Sequence, residues 1–105
     1  MSSIFTKIIN REIPSSFVYE DDLVIAIKDI QPKAKTHILI ISKKEIPTIN
    51  DLQIEDSSLI AHMFFVAQNI AKTLWVSEWY KLQFNVWEKW WQEVMHIHMH
   101  LLSDI

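Results

Sequence analysis

An α+β fold is predicted, a layer of strands with one long helix laid against it, and three features of the sequence predict it. Five segments carry the short, β-branched or alternating pattern of strands, one longer segment carries a helical period, and the stretches between them are short. Neither a repeat nor a low-complexity tract interrupts the chain, so residues 1–105 are read as a single domain.

The apolar pairs Ile4-Phe5 and Ile8-Ile9 stand at helical spacing and predict a short N-terminal helix, ended before Pro14. Residues 16–20 and 23–29 read as two strands joined through the acidic pair Asp21-Asp22, a composition suited to a tight turn. A third strand, Thr36–Ser42, follows the Gln31-Pro32-Lys33 loop. Over residues 55–74 the period changes. Leu59, Met63, Val66, Ile70 and Leu74 form one helical stripe, which Ile60, Phe64, Ala67 and Ala71 widen enough to cover a sheet face. Residues 80–86 and 95–102 predict two more strands, separated by Trp87-Glu88-Lys89-Trp90-Trp91-Gln92-Glu93.

Composition excludes several classes of function. A net charge of −3 gives no general attraction to nucleic acid or to an acidic membrane, so any bound anion needs a local site. There is no cysteine, which removes disulfides and thiolate metal sites. The first ten residues lack the apolar stretch of a signal peptide, and runs such as Ile38-Leu39-Ile40-Ile41 are too short to span a bilayer. A cytoplasmic location is expected. One feature is anomalous: usual frequencies give a chain of this length roughly seven glycines, and this one has none. It carries five tryptophans, all between positions 75 and 91.

His96, His98 and His100 alternate with Ile97, Met99 and Leu101. On a strand this sends the three imidazoles to one face and the apolar residues to the other, where they can meet the helix. Three readings compete. The histidines can be structural, held by hydrogen bonds. They can ligate a metal, although His96 and His100 would lie about 13 Å apart at ~3.3 Å per residue, too far to share one ion. Or they can perform phosphoryl-type chemistry: a neutral imidazole is a good nucleophile near neutral pH, and its neighbours can donate to phosphate oxygens.

The run His96-Ile97-His98-Met99-His100-Leu101-Leu102 resembles the histidine-triad motif. Further stretches match in order: Ile4-Phe5-x-Lys7-Ile8, Glu12-Ile13-Pro14, Tyr19-Glu20-Asp21-Asp22, Asp29-Ile30-x-Pro32-x-Ala34-x-x-His37, and Asn85. Nearly the whole chain is thus similar to histidine-triad nucleotide-binding proteins of the purine nucleoside phosphoramidase-like branch. The resemblance implies a five-stranded antiparallel sheet with one long and one short helix, extended across a homodimer. It implies hydrolysis of nucleoside 5′-phosphoramidates, or related nucleoside monophosphate conjugates, through a nucleotidyl-histidine. A purine nucleotide or nucleoside phosphoramidate is the expected partner, with no cofactor, no metal and no nucleic acid.

Residue roles follow from the same resemblance. His98 matches the nucleophile, His96 and His100 the flanking histidines that contact phosphate and help orient the nucleophile or protonate the leaving group, and His37 the upstream histidine that completes the cluster. Asp29 matches the acid that binds the ribose hydroxyls. Ile4, Phe5, Ile8, Ile27 and Ile30 match the apolar pocket around the base. Asn85 matches a polar residue near the phosphate, and Gln92 and Glu93 lie on the loop whose backbone faces it. His62, on the long helix, has no family role.

The departures are specific. Trp75, Trp79, Trp87, Trp90 and Trp91 stand where the family carries glycine, and Ser103-Asp104 replaces its Gly-Gly pair. Ordinary core packing does not explain why all five coincide with glycine sites; engineering, or a codon read differently in the source, would. Glycine supplies positive φ and close approach to an anion, and tryptophan supplies neither. The loop between Val86 and Val94 is therefore expected to refold into an ordinary turn or become disordered rather than hold positive φ. Two alternative functions follow, a nucleotide-binding module with little turnover and a metal-binding protein using the histidine row.

Overall fold

The computed structural model describes residues 2–105. Its elements are α1 (Ile4–Ile9), β1 (Phe17–Glu20), β2 (Val24–Lys28), β3 (Thr36–Ser42), α2 (Ser57–Thr73), β4 (Lys81–Gln83) and β5 (His98–Ser103). The strands form one sheet in the order β1-β2-β3-β5-β4, and each neighbouring pair is antiparallel. This is the predicted α+β architecture. Short 3₁₀ turns at Ile49–Asp51, Ile54–Asp56 and Glu88–Trp90 were not legible in the periodicity.

Local chemistry explains the ends of the elements. Ser3 caps α1 by accepting from the Thr6 N–H at 3.1 Å. The β1–β2 turn closes on Asp21, whose Oδ1 accepts from the N–H groups of Leu23 and Val24 at 2.8 and 2.9 Å. α2 begins two residues later than its apolar stripe suggested, because Ile54–Asp56 forms a 3₁₀ turn whose Asp56 takes Lys44 Nζ at 2.6 Å.

Both late strands are shorter than predicted. β4 stops at Gln83, and Asn85 turns away to donate from Nδ2 to the Trp90 carbonyl at 3.0 Å. β5 starts at His98 and not at residue 95. The preceding backbone is engaged elsewhere: His96 N–H donates to Val94 O at 2.9 Å and Ile97 N–H to Ile46 O at 2.8 Å.

The two faces of the sheet are both covered. Val24, Ala26, Ile38, Ile40, Met99 and Leu101 pack under Leu59, Met63, Val66, Ala67, Ile70 and Ala71 of α2. Met63 is fully buried there, and truncating such a side chain to alanine costs about 2–5 kcal/mol. On the opposite face Ile25, Ile27, Leu39 and Ile41 pack under Phe5 and Ile8 of α1. The alternation of β2 and β3 thus serves two cores, which is why both strands are almost continuously apolar.

The tryptophan loops correct an expectation. Trp75, Trp87 and Trp91 hold φ of 62°, 74° and 67°. The loop between Val86 and Val94 keeps its positive-φ sites instead of refolding. Its bracket is Gln92, which is buried, accepts from Trp87 N–H at 2.8 Å, and donates to Pro47 O at 2.5 Å and Val94 O at 3.0 Å. These bonds hold the loop's backbone while the indoles project outward, between 53% and 88% exposed across all five tryptophans.

Candidate active site

β3 and β5 run side by side with Leu39 opposite His100 and Ile41 opposite His98. Residues in register share a sheet face, so His98 and His100 emerge on the α1 side, among the smaller apolar core. Their ring centroids are 5.0 Å apart, and Phe5 meets His98 edge-on at 5.0 Å. The two rings open onto a cavity of about 420 Å³ between α1, the sheet and the Asn85–Val94 segment.

Most of the sequence-predicted residues meet at this cavity. Ile4, Phe5, Ile8 and Ile27 form its apolar wall, with Ile30 at the rim, 90% exposed. Asp29, His37, His98 and His100 form the polar side, and Asn85 and Glu93 line the edge nearest the tryptophan loop. Gln92 lies behind this edge as the loop's bracket. His62 lies apart, bonded through Nε2 to Asp21 Oδ2 at 2.6 Å.

His96 is placed apart from His37, His98 and His100. It precedes β5, is completely buried, and is not on the cavity wall. Ile97 still faces the α2 core with Met99 and Leu101, so His96 lies on the α1 side with His98, but there Ser3 and Phe5 cover its ring. The His96 ring is thus separated from the cavity by its neighbours in this structure. The ring is bonded to Ser42 O through Nε2 at 2.6 Å and to Ser3 Oγ through Nδ1 at 2.6 Å. Its backbone carbonyl faces His98 Nδ1 at 2.7 Å.

The hydrogen-bond partners assign the tautomers. His98 donates its Nδ1–H to the His96 carbonyl, which leaves the Nε2 lone pair as its unprotonated nitrogen. His37 accepts the Lys33 N–H on Nδ1 at 3.1 Å, so its proton is on Nε2, donated to His100 Nδ1 at 2.9 Å. His100 therefore carries its proton on Nε2. Burial, above all, lowers the pKa of all four rings. For His100 the nearby His98 and His37 add to it, and the ring is pushed down to about 4. Asp29, with Oδ2 3.4 Å from His37 Nε2, opposes the shift in His37 and His100. At neutral pH the cluster is thus a row of uncharged imidazoles, one with an acceptor lone pair and its neighbour with a donor N–H. Such a pair suits attack on an electrophilic centre whose oxygens need hydrogen bonds.

Ligand atoms of Asp29, His37 and His100 also lie within 4.8 Å of one another, close enough to surround a metal ion. The proton arrangement works against this, because His37 Nε2 bears the hydrogen that a ligating nitrogen must lack. Two contributors escaped the sequence reading: the Ser3 hydroxyl on His96 and the Lys33 amide on His37. Only Ser3 left a signal, as a serine immediately before a helical pattern.

A strand-borne pair of neutral histidines beside an apolar cavity, on a five-stranded sheet with one long helix, points to a class of small α+β hydrolases. The family model for the scavenger mRNA decapping enzyme C-terminal binding domain matches residues 2–105. The purine nucleoside phosphoramidase of Escherichia coli (strain K12) is 52% identical over 102 residues, covering 96% of this chain and 86% of that protein. A HIT family hydrolase from Legionella pneumophila Philadelphia 1 superposes with a TM-score of 0.96 at 46% identity, covering 99% of this chain and 94% of that one. One from Clostridium thermocellum gives 0.94 at 37%, covering 99% and 91%. The chain belongs to the histidine-triad family, as one of its hydrolases. Among the described residues no helix is long and apolar enough to cross a membrane.

Proposed function

We propose that the chain hydrolyses nucleoside 5′-phosphoramidates, or related nucleoside monophosphate conjugates, through a nucleotide carried on His98. The observation that carries this reading is the His98 tautomer: Nδ1–H is committed to the His96 carbonyl, so the lone pair is on Nε2 of a ring that lines the cavity. In the first step that lone pair bonds to the α-phosphorus, the bond from phosphorus to the amine nitrogen breaks, and the amine leaves with a proton taken from solvent, which the attacking water of the second step returns. His100 Nε2–H donates to a phosphate oxygen while the charge builds. Water then attacks phosphorus, the bond to His98 breaks, and the nucleoside monophosphate departs with the neutral ring restored.

The apolar wall of Ile4, Phe5, Ile8 and Ile27 takes the base, and Asp29 accepts from the ribose hydroxyls. The similarity to a purine nucleoside phosphoramidase supports a purine conjugate. We read the working unit as a homodimer and its location as the cytoplasm. The experiment is hydrolysis of adenosine 5′-phosphoramidate, with trapping of the adduct by mass spectrometry. An adduct mapped to a residue other than His98 overturns the reading.

A second reading, a metal ion held by Asp29, His37 and His100, is favoured by their convergence alone. The same assay with a chelator separates the two, since loss of activity on chelation is expected only of the metal site. Binding of the nucleotide without turnover would identify the third, a module whose tryptophan loop does not position the phosphate.

A further inference from the structure

We propose that Ser3 is a positioning residue for the histidine nucleophile, acting through His96. Its hydroxyl is bonded on two sides. It accepts from Thr6 N–H at 3.1 Å, which caps α1, and lies 2.6 Å from Nδ1 of the fully buried His96. The other nitrogen of His96 faces a carbonyl, Ser42 O, and must be the protonated one. Nδ1 is then an acceptor, and Ser3 is the donor that satisfies it. The Ser3 backbone N–H donates to Glu45 Oε1 at 2.9 Å, and the hydroxyl of Thr6 donates to that same oxygen. Ser3 is therefore tied to Glu45, three residues past the end of β3, and is not a loose terminal residue.

The consequence reaches the cavity. With both ring nitrogens engaged, His96 cannot rotate, and its own peptide carbonyl is held where it accepts the His98 Nδ1–H at 2.7 Å. That single bond selects the His98 tautomer. The helix capped by Ser3 also carries Phe5, which packs edge-on against both His96 and His98 at 5.8 and 5.0 Å. One hydroxyl thus sets the seat of the apolar wall and the orientation of the nucleophile together.

Three variants separate these duties. Ser3→Thr keeps the cap and the hydroxyl, Ser3→Gly keeps most of the cap without the hydroxyl, and Ser3→Ala loses both. Nitrogen-15 NMR of the imidazoles should show the Nδ1 signal of His96 moving in the Gly and Ala variants and staying in place in Thr. The kinetic arm rests on the proposed phosphoramidase reading. There, kcat should fall roughly 10- to 100-fold in Gly and Ala with KM near its original value, and recover in Thr. An unchanged His96 signal in the Gly and Ala variants overturns the proposal. So does an unchanged kcat in an enzyme that is active. A parent chain without phosphoramidase activity defeats the functional reading instead, and the NMR arm still decides on Ser3.

An independent observation concerns the tryptophans. We infer that the natural protein carries glycine at positions 75, 79, 87, 90 and 91. Trp75 closes α2: its N–H donates to Lys72 O at 3.2 Å and Val76 N–H to Ala71 O at 2.9 Å, with Trp75 at φ 62°. This is the left-handed helix stop that glycine ordinarily occupies. Trp87, at φ 74° and ψ 155°, lies in a region that is essentially glycine-only. Trp91, at φ 67° and ψ 28°, is left-handed as well. Arg11 is the only other described residue with positive φ and shows that a side chain can be tolerated at a helix stop, but not in the Trp87 region.

Burial points the same way. Tryptophan is a highly buried residue on average, yet all five here are more than half exposed, in a chain with no glycine at all. Removing the five indoles would uncover no core. Peptide mass mapping of the protein purified from its own source should find glycine at all five positions. Tryptophan in those peptides overturns the inference.

Discussion

The Nδ1 of His98 lies 2.7 Å from the backbone carbonyl of His96, and this contact, not the side-by-side row of rings, is the link between the two histidines. In the proposed mechanism it makes the first histidine of the motif a support and the second a nucleophile. His98→Asn should leave nucleotide binding largely intact and reduce turnover by several orders of magnitude, as loss of a nucleophile does. Single-turnover kinetics with calorimetry on the same variant checks both halves.

The buried rings should make stability fall in mild acid. Each of His37, His96, His98 and His100 has its folded pKa lowered, so the unfolded chain binds more protons once pH drops below about 6.5. The stabilisation is complete above that value and is lost as pH falls toward the folded pKa, about 4 for His100. His100 alone should account for roughly 2–3 kcal/mol, allowing for its partial exposure. Urea unfolding at pH 7.5 and pH 5 measures this, and equal midpoints would contradict it.

Asp29 is expected to govern sugar recognition. Truncating a carboxylate that accepts from two hydroxyls should cost roughly 1.5–3 kcal/mol per bond. Asp29→Ala should therefore weaken a ribonucleotide more than its 2′-deoxy counterpart. Equal weakening of the two would place Asp29 away from the sugar.

Glycine at the positive-φ sites should stabilise the fold. A tryptophan held in the Trp87 geometry carries on the order of 1–3 kcal/mol of backbone strain, which Trp87→Gly would relieve. Chemical denaturation should show a higher midpoint with an unchanged slope. The double variant with glycine at Trp90 and Trp91 also removes indole bulk beside the cavity, and its kcat/KM should rise by roughly 10²-fold if loop donors are then free to reach the phosphate.

The exposed aromatic side chains of Phe64 and Phe65 on α2 are consistent with the proposed homodimer. Light scattering at micromolar concentration should return twice the chain mass of 12.5 kDa, and the monomer value would exclude the dimer.

Much of this protein was legible locally. β3 has the bounds that its β-branched run predicts, and the stripe from Leu59 to Ile70 places the long helix and its buried face. The alternation of His98 and His100 with Met99 and Leu101 correctly separates cavity from core. Such patterns are carried by residues that are neighbours in sequence, and a periodic backbone converts their spacing directly into faces.

What only the tertiary structure decided depends on bonds between distant residues. Ile46, far from the motif in sequence, takes the Ile97 amide and so removes His96 from the strand. Ser3 and Ser42, 93 and 54 residues away, then fix the His96 ring, with Ser3 bonding Nδ1 and Ser42 taking Nε2. Gln92 ties the tryptophan loop to Pro47 and thereby holds Trp87 in a conformation its side chain disfavours. Periodicity carries no information about such partners, since a backbone donor can be satisfied by any acceptor that the completed fold brings within reach.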